Sequence, residues 1–192
     1  MGVIGWVALI VAVLSLIAWR LTYAAARLDR LHGRVEGTVA ALDAQLVRRA
    51  EAALELARCE ELDNVSALVL GGAATASLEL ADEEAVATEV REHGIAPERE
   101  DAENQLTEAL RHVLSREVVS ELRTRDAIGA ECLGIVRNAS TRVQLSRRFY
   151  NDAARDVRKV RSKRLVRWFR LAGHTELPRT IEFDDGLPDA LG

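Results

Sequence analysis

The chain is 192 residues long, with 26 Lys and Arg against 30 Asp and Glu, a formal net charge of −4, and apolar side chains at 48% of positions. That length suits one ordinary domain with an appendage and is short for two. The acidic balance counts against nucleic acid as a partner, and the two cysteines, Cys59 and Cys132, lack the CxxC spacing of a zinc or redox motif. Both cysteines are expected to be buried thiols in a reducing compartment. With only three Pro and abundant Ala, Leu, Arg and Glu, the composition favours helices throughout.

The amino-terminal stretch GVIGWVALIVAVLSLIAW, residues 2–19, carries no charge. Extended through Arg20 to Tyr23 it forms a helix of about 22 residues and ~33 Å, enough to cross the hydrocarbon core of a bilayer. Trp6 near one end, and Trp19 and Tyr23 at the other, suit the two interfaces. Nothing basic precedes the span, whereas Arg20, Arg27, Arg30 and Arg34 follow it. The positive-inside rule then predicts a single-pass membrane protein, amino terminus outside and carboxy terminus cytoplasmic. The rival is a secretory signal peptide cut after Ala24-Ala25-Ala26. Against it stand the missing basic n-region, the long apolar run, and Arg20 lying between that run and the cut.

From Leu28 onward, Leu31, Val35, Val39, Leu42, Leu46, Ala50, Ala53 and Ala57 recur at intervals of three and four, one stripe along a helix. No Pro interrupts Trp19 to Leu62, so the membrane helix is expected to run on into this one, with Gly33 and Gly37 its weak points. Asp63-Asn64 reads as its end and as the cap of a second helix continuing to about His93. Gly71-Gly72 lacks a following GK[ST] and predicts close helix packing or a kink rather than a phosphate-binding turn. His93-Gly94 and Pro97 mark a stop and a restart. A third helix carries Leu106, Leu110, Val113, Val118 and Leu122, and a fourth carries Val136, Ala139, Val143, Tyr150, Ala153 or Ala154, Val157 and Val160.

The fold class is therefore all-α: a single transmembrane helix at residues 1–23, an antiparallel up-and-down bundle of about four helices at 24–173, and a tail at 174–192 with two Pro and no period, expected to be loosely ordered. In that topology the fourth helix returns to the bilayer. It delivers the basic run RKVRSKRLVRWFR, residues 158–170, to the inner leaflet. Arg161, Lys163, Arg164, Arg167 and Arg170 are then placed to meet anionic lipid headgroups, with Trp168 and Phe169 as apolar contacts. A solvated face, an intramolecular pairing with the acidic second helix, and nucleic acid are the other readings of such a run.

The segment RRFYNDAARDV, residues 147–157, resembles the carboxy-terminal signature of the LemA family, through Arg147, Arg148, Tyr150, Asn151 and Asp152. Two further patches agree in order: residues 34–57, through Leu42, Asp43, Gln45, Leu46, Arg48 and Arg49, and DAENQLTEALRHVL from Asp101, through Ala102, Glu103, Asn104, Leu106 and Leu110. AALEL stands where the family has Leu-Ile-Pro-Asn-Leu, the Tyr-Pro element after the third helix is missing, and RSKRL replaces a Phe-Pro, which marks a divergent member. The resemblance implies a bacterial single-pass membrane protein with a cytoplasmic helical bundle, no known catalytic residues and an adaptor-like role. A protein partner at the membrane is expected, and a homo-oligomer is left open.

No enzyme constellation stands out. His32, His93, His112 and His174 occur singly, without HxxxH, HExxH or Cys-His spacing, so neither catalytic residues nor a metal or other cofactor are expected. Within the signature, Tyr150 is expected to pack in the core with its hydroxyl satisfied, and Asn151 or Asp152 to cap or pair with an arginine of a neighbouring helix. The sequence points to a non-enzymatic, membrane-anchored scaffold or adaptor, with an exported helical binding protein as the alternative.

Overall fold

The computed structural model describes residues 2–86, 94–125, 127–162 and 177–191, and the side chains among them except those of 82–86. Five helices occur among these residues: α1 Val3–Ala57, α2 Asn64–Val86, α3 Pro97–Val113, α4 Arg116–Arg125 and α5 Ala127–Arg161. The architecture is all-helical, as its periodicities predict. Helix α1 passes through Gly33 and Gly37 without a break, so its 55 residues make one rod of ~83 Å. It ends at Ala57, earlier than the expected Leu62, and Asp63 then caps α2 by accepting hydrogen bonds from the Val65 and Ser66 amides, both at 3.0 Å.

Helices α1 and α5 are antiparallel partners over most of their length. Val35, Val39, Leu42 and Leu46 of α1 share a core with Val143, Tyr150, Ala153, Ala154 and Val157 of α5, and below it Leu28 packs on Val160. Every position of the predicted α5 stripe is buried. The other core joins Ala50, Ala53 and Leu56 to Leu70 and Ala74 of α2, Leu106 and Leu110 of α3, Leu122 of α4 and Leu133 and Val136 of α5. Cys59 and Cys132 are only partly buried against this core, not fully as expected. An added Cβ at Gly71 would lie 3.8 Å from that of Ala57, an ordinary contact, and one at Gly72 would meet nothing, so neither close packing nor a break in α2 requires these glycines.

The third predicted helix is two. Leu114 leaves the helical region at ψ 64°, and Ser115 starts α4, its hydroxyl accepting from the Val118 amide at 3.3 Å. At the α4–α5 hairpin a side chain on Gly129 would meet the Leu122 carbonyl at 2.9 Å, which explains a glycine there. The stop before Pro97 is observed at Gly94, in the left-handed region at φ 100°. A Cβ there would stand 2.7 Å from the Tyr150 hydroxyl, so both backbone and space demand glycine.

The tail differs from expectation. Residues 177–191 form an extended strap laid between α3 and α5, with Pro178, Ile181, Phe183, Pro188 and Leu191 buried. Ile181 and Phe183 enter the core while Glu182 and Asp184 stay out, the period of two of an extended chain. Two Pro argued for irregular backbone, which the strap has, but not for the lack of order expected of it.

Candidate functional site

The RRFYND segment builds one wall of the strap's groove. Asn151 uses both ends of its amide on one strap residue: its Nδ2 donates to the Ile181 carbonyl at 3.0 Å and its Oδ1 accepts from the Ile181 amide at 2.9 Å. The Tyr150 hydroxyl donates to the Arg179 carbonyl at 2.7 Å, Arg158 to that of Pro178 at 2.9 Å, and Gln144 to that of Asp185 at 2.7 Å. Arg147 pairs with Asp185 at 2.7 Å and lies 5.5 Å over the Phe183 ring. Tyr150 is thus in the core with its hydroxyl satisfied. Asn151 clasps backbone rather than an arginine, Asp152 pairs with Arg155 of its own helix at 2.9 Å, and Arg148 is exposed.

The opposite wall is α3. Asn104 accepts from the Asp184 amide at 2.7 Å, Thr107 donates to the Asp184 carbonyl at 2.6 Å, Glu100 accepts from the Glu182 amide at 3.1 Å, and Arg111 pairs with the Asp184 carboxylate. From Pro178 to Asp185 the strap advances seven residues while its α5 partners, Arg158 and Gln144, lie fourteen apart. At ~3.3 Å per extended residue and ~1.5 Å per helical residue these spans are ~23 and ~21 Å, so strap and helix keep step. With backbone groups met by side chains in this way, an extended chain can lie in a helical groove without a sheet.

Behind the strap lies a buried charge network that sequence inspection missed. Glu103, fully buried, accepts from Arg49 at 2.6 Å, from Arg99 at 3.0 Å and from Ser77 at 2.7 Å. Arg49 also donates to Thr107 at 3.1 Å and lies 5.8 Å from the centre of the Phe183 ring, so the network touches α1, α2, α3 and the strap. Asp43 stands 3.9 Å from Arg99, and its carboxyl is pushed up mainly by burial, with Arg99 pulling it back and Glu103 adding to the rise. A signal existed. Arg49 falls three after Leu46, and Arg99 and Glu103 precede Leu106 and Leu110 on the same helical face.

Burial pushes the Tyr150 phenol from its ordinary 10.0 up to about 12, with Arg158 and Arg179 opposing and Glu100 adding. The folded state keeps this proton where the unfolded chain has lost it. The contribution is present below pH ~10 and is lost as pH rises towards about 12. Denaturation midpoints measured from pH 9 to 12 are expected to fall more steeply for the native chain than for Tyr150→Phe; equal slopes would remove this assignment.

A second feature lies where α1 leaves its apolar part. Residues Val3 to Trp19 are all exposed. Around the Leu28–Val160 contact, Arg27, Arg30 and Arg34 of α1 stand near the level of Arg155, Lys159 and Arg161 at the end of α5, with Arg34 3.6 Å from Asp156, and Arg20 lies further towards the apolar end of α1. The predicted lipid contacts Lys163, Arg164, Arg167, Trp168, Phe169 and Arg170 lie outside the described residues. The first part of α1 is long and apolar enough to cross a membrane. So, by composition, is α2 over Asn64–Ala81, but Leu70, Ala74, Ser77 and Ala81 are buried within the bundle. Among the described residues no group of three or more His, Cys, Asp or Glu could hold a metal ion. No family model, curated protein or solved structure matches this chain.

Proposed function

We propose that this protein is a single-pass, membrane-anchored helical scaffold of the bacterial inner membrane, without enzymatic activity, whose bundle stands in the cytoplasm and presents a helical surface to a protein partner. The observation that carries this reading is the continuity of α1: one helix is wholly exposed and uncharged from Val3 to Trp19 and then supplies the core stripe from Leu28 to Leu56. So long an apolar surface needs a cover, and lipid matches its length. The arginines that follow it, and the return of α5 beside Leu28, support anionic lipid headgroups as the surroundings of residues 158–170. The exposed Val65, Leu68 and Val69 on α2 are a contact surface for the partner.

The LemA resemblance supports the same reading in a particular way. Its three patches, around Asp43 and Arg49, around Glu103 and Asn104, and around Tyr150 and Asn151, converge on the strap and the network behind it. They are construction residues of a bundle, which is what a resemblance without a shared catalytic site would preserve.

Membrane fractionation with an alkaline wash, combined with protease treatment of a carboxy-terminal tag in spheroplasts, tests the proposal. The tag is expected to be protected, on protein that resists extraction. A cleaved tag, or soluble protein whose mass lacks residues 1–26, would overturn it in favour of the exported binding protein.

A further inference from the structure

We infer that the outward face of α2 is the docking surface for a basic amphipathic helix of a partner protein. Helix α2 is apolar on two sides. Leu70, Ala74, Ser77 and Ala81, spaced by three and four, are buried within the bundle. Val65, Leu68, Val69, Gly72 and Ala76 repeat that spacing on the other side, where Val65, Leu68 and Val69 are 71, 76 and 44% exposed. An added Cβ at Gly72 would meet nothing, so the middle of this face is low and open to the close approach of another helix. A helix that is apolar all round is ordinarily covered all round, and the bundle covers only one side of α2.

The charge around this face points to what covers it. From Cys59 to Val86 the sequence holds seven acids and no base, in a chain whose net charge is only −4. Glu79, exposed, continues the stripe three residues after Ala76, and Glu60 is exposed in the turn that precedes α2. An apolar stripe in so acidic a surround fits a helix that turns Leu-like side chains towards α2 and sets Lys or Arg beside them. The same charge repels a second α2 face, which counts against two copies pairing through it. Height counts against lipid, and here the inference rests on the anchored reading. Gly71 lies against Ala57, 34 residues beyond Tyr23 on the straight rod of α1. That places the stripe ~51 Å from the interfacial tyrosine, and ~39 Å even at a tilt of about 40°. The bilayer's hydrocarbon is out of reach there, and its surface charge is screened within ~8–10 Å.

The test is photo-cross-linking in intact cells from the full-length chain carrying Leu68→p-benzoylphenylalanine, with the attached peptide sequenced by mass spectrometry. The same probe at exposed Arg148 sets the background. The expected adduct is a peptide in which Lys and Arg outnumber Asp and Glu and apolar residues recur at intervals of three and four. Its yield should fall roughly tenfold when Glu60→Lys and Glu79→Lys are added together. Glu36→Lys with Glu131→Lys, exposed acids of α1 and α5, should leave the yield unchanged. An adduct with lipid, with a second copy of this chain, or with an acidic or aperiodic peptide would overturn the inference. So would a yield no higher than background, or one that the α2 charge reversals leave unmoved. An alkaline wash of the same cells' membranes reads the anchor separately: the expected adduct on extractable protein would sink the anchor while keeping the docking face.

Discussion

Replacing Glu103 with Leu is expected to lower the stability of the bundle by about 3–5 kcal/mol, the usual cost of breaking a buried ion pair from one side. One carboxylate, with no exposure, answers two guanidiniums that are themselves buried, Arg49 and Arg99. Removing it leaves two positive charges out of water, with Asp43 3.9 Å from Arg99 and its carboxyl already pushed up by burial. A small domain has about 5–15 kcal/mol in total, so this is a large share. Glu103→Gln is the milder change, since an amide oxygen still accepts from Ser77 or an arginine. Changing Arg49, Arg99 and Glu103 together to Met or Leu should recover most of the loss, because an apolar replacement of similar volume strands no charge. Urea denaturation of the full-length protein in micelles, followed by far-UV circular dichroism, measures all three. A midpoint for Glu103→Leu equal to that of the native chain would show that the network contributes nothing to stability.

The helices were legible in the sequence because burial on a helix repeats every three to four residues, and Leu42, Leu46, Val143 and Val157 announce their faces directly. The division of α3 from α4 was not, since it depends on the backbone at Leu114 and a serine cap that a polar stretch hides. The charge network escaped for a different reason: Arg49 and Glu103 read as solvated when types are weighed alone, although their register puts them inside. The strap was hidden by its shortness. Its alternation covers only Ile181 to Asp184, and what holds it, the amide of Asn151 and the hydroxyls of Tyr150 and Thr107, is about thirty or more residues away in the chain. Local patterns carry no signal for a contact whose partner lies in another element.

Phe183→Ala is expected to detach the strap while leaving the helices folded. Its ring is buried in the core of α1 and α5 and lies within 5.8 Å of the guanidiniums of Arg49 and Arg147, so truncation loses burial and two cation–π contacts together, about 3–5 kcal/mol by analogy with other core aromatics. Asn151→Ala removes two hydrogen bonds to Ile181 and should cost less, about 1–3 kcal/mol. The difference decides what kind of joint this is. If burial dominates, Phe183→Ala loosens every strap amide, and the protection against hydrogen exchange at Ile181, Glu182 and Asp184 falls together by two orders of magnitude or more. If the backbone clasp dominates, Asn151→Ala does so instead. Protection in α1 and α5 should persist in both variants, because Leu42, Leu46, Val143 and Val157 pack directly on one another without the strap. Loss of helix protection in Phe183→Ala would mean that the strap belongs to the same folding unit as the helices.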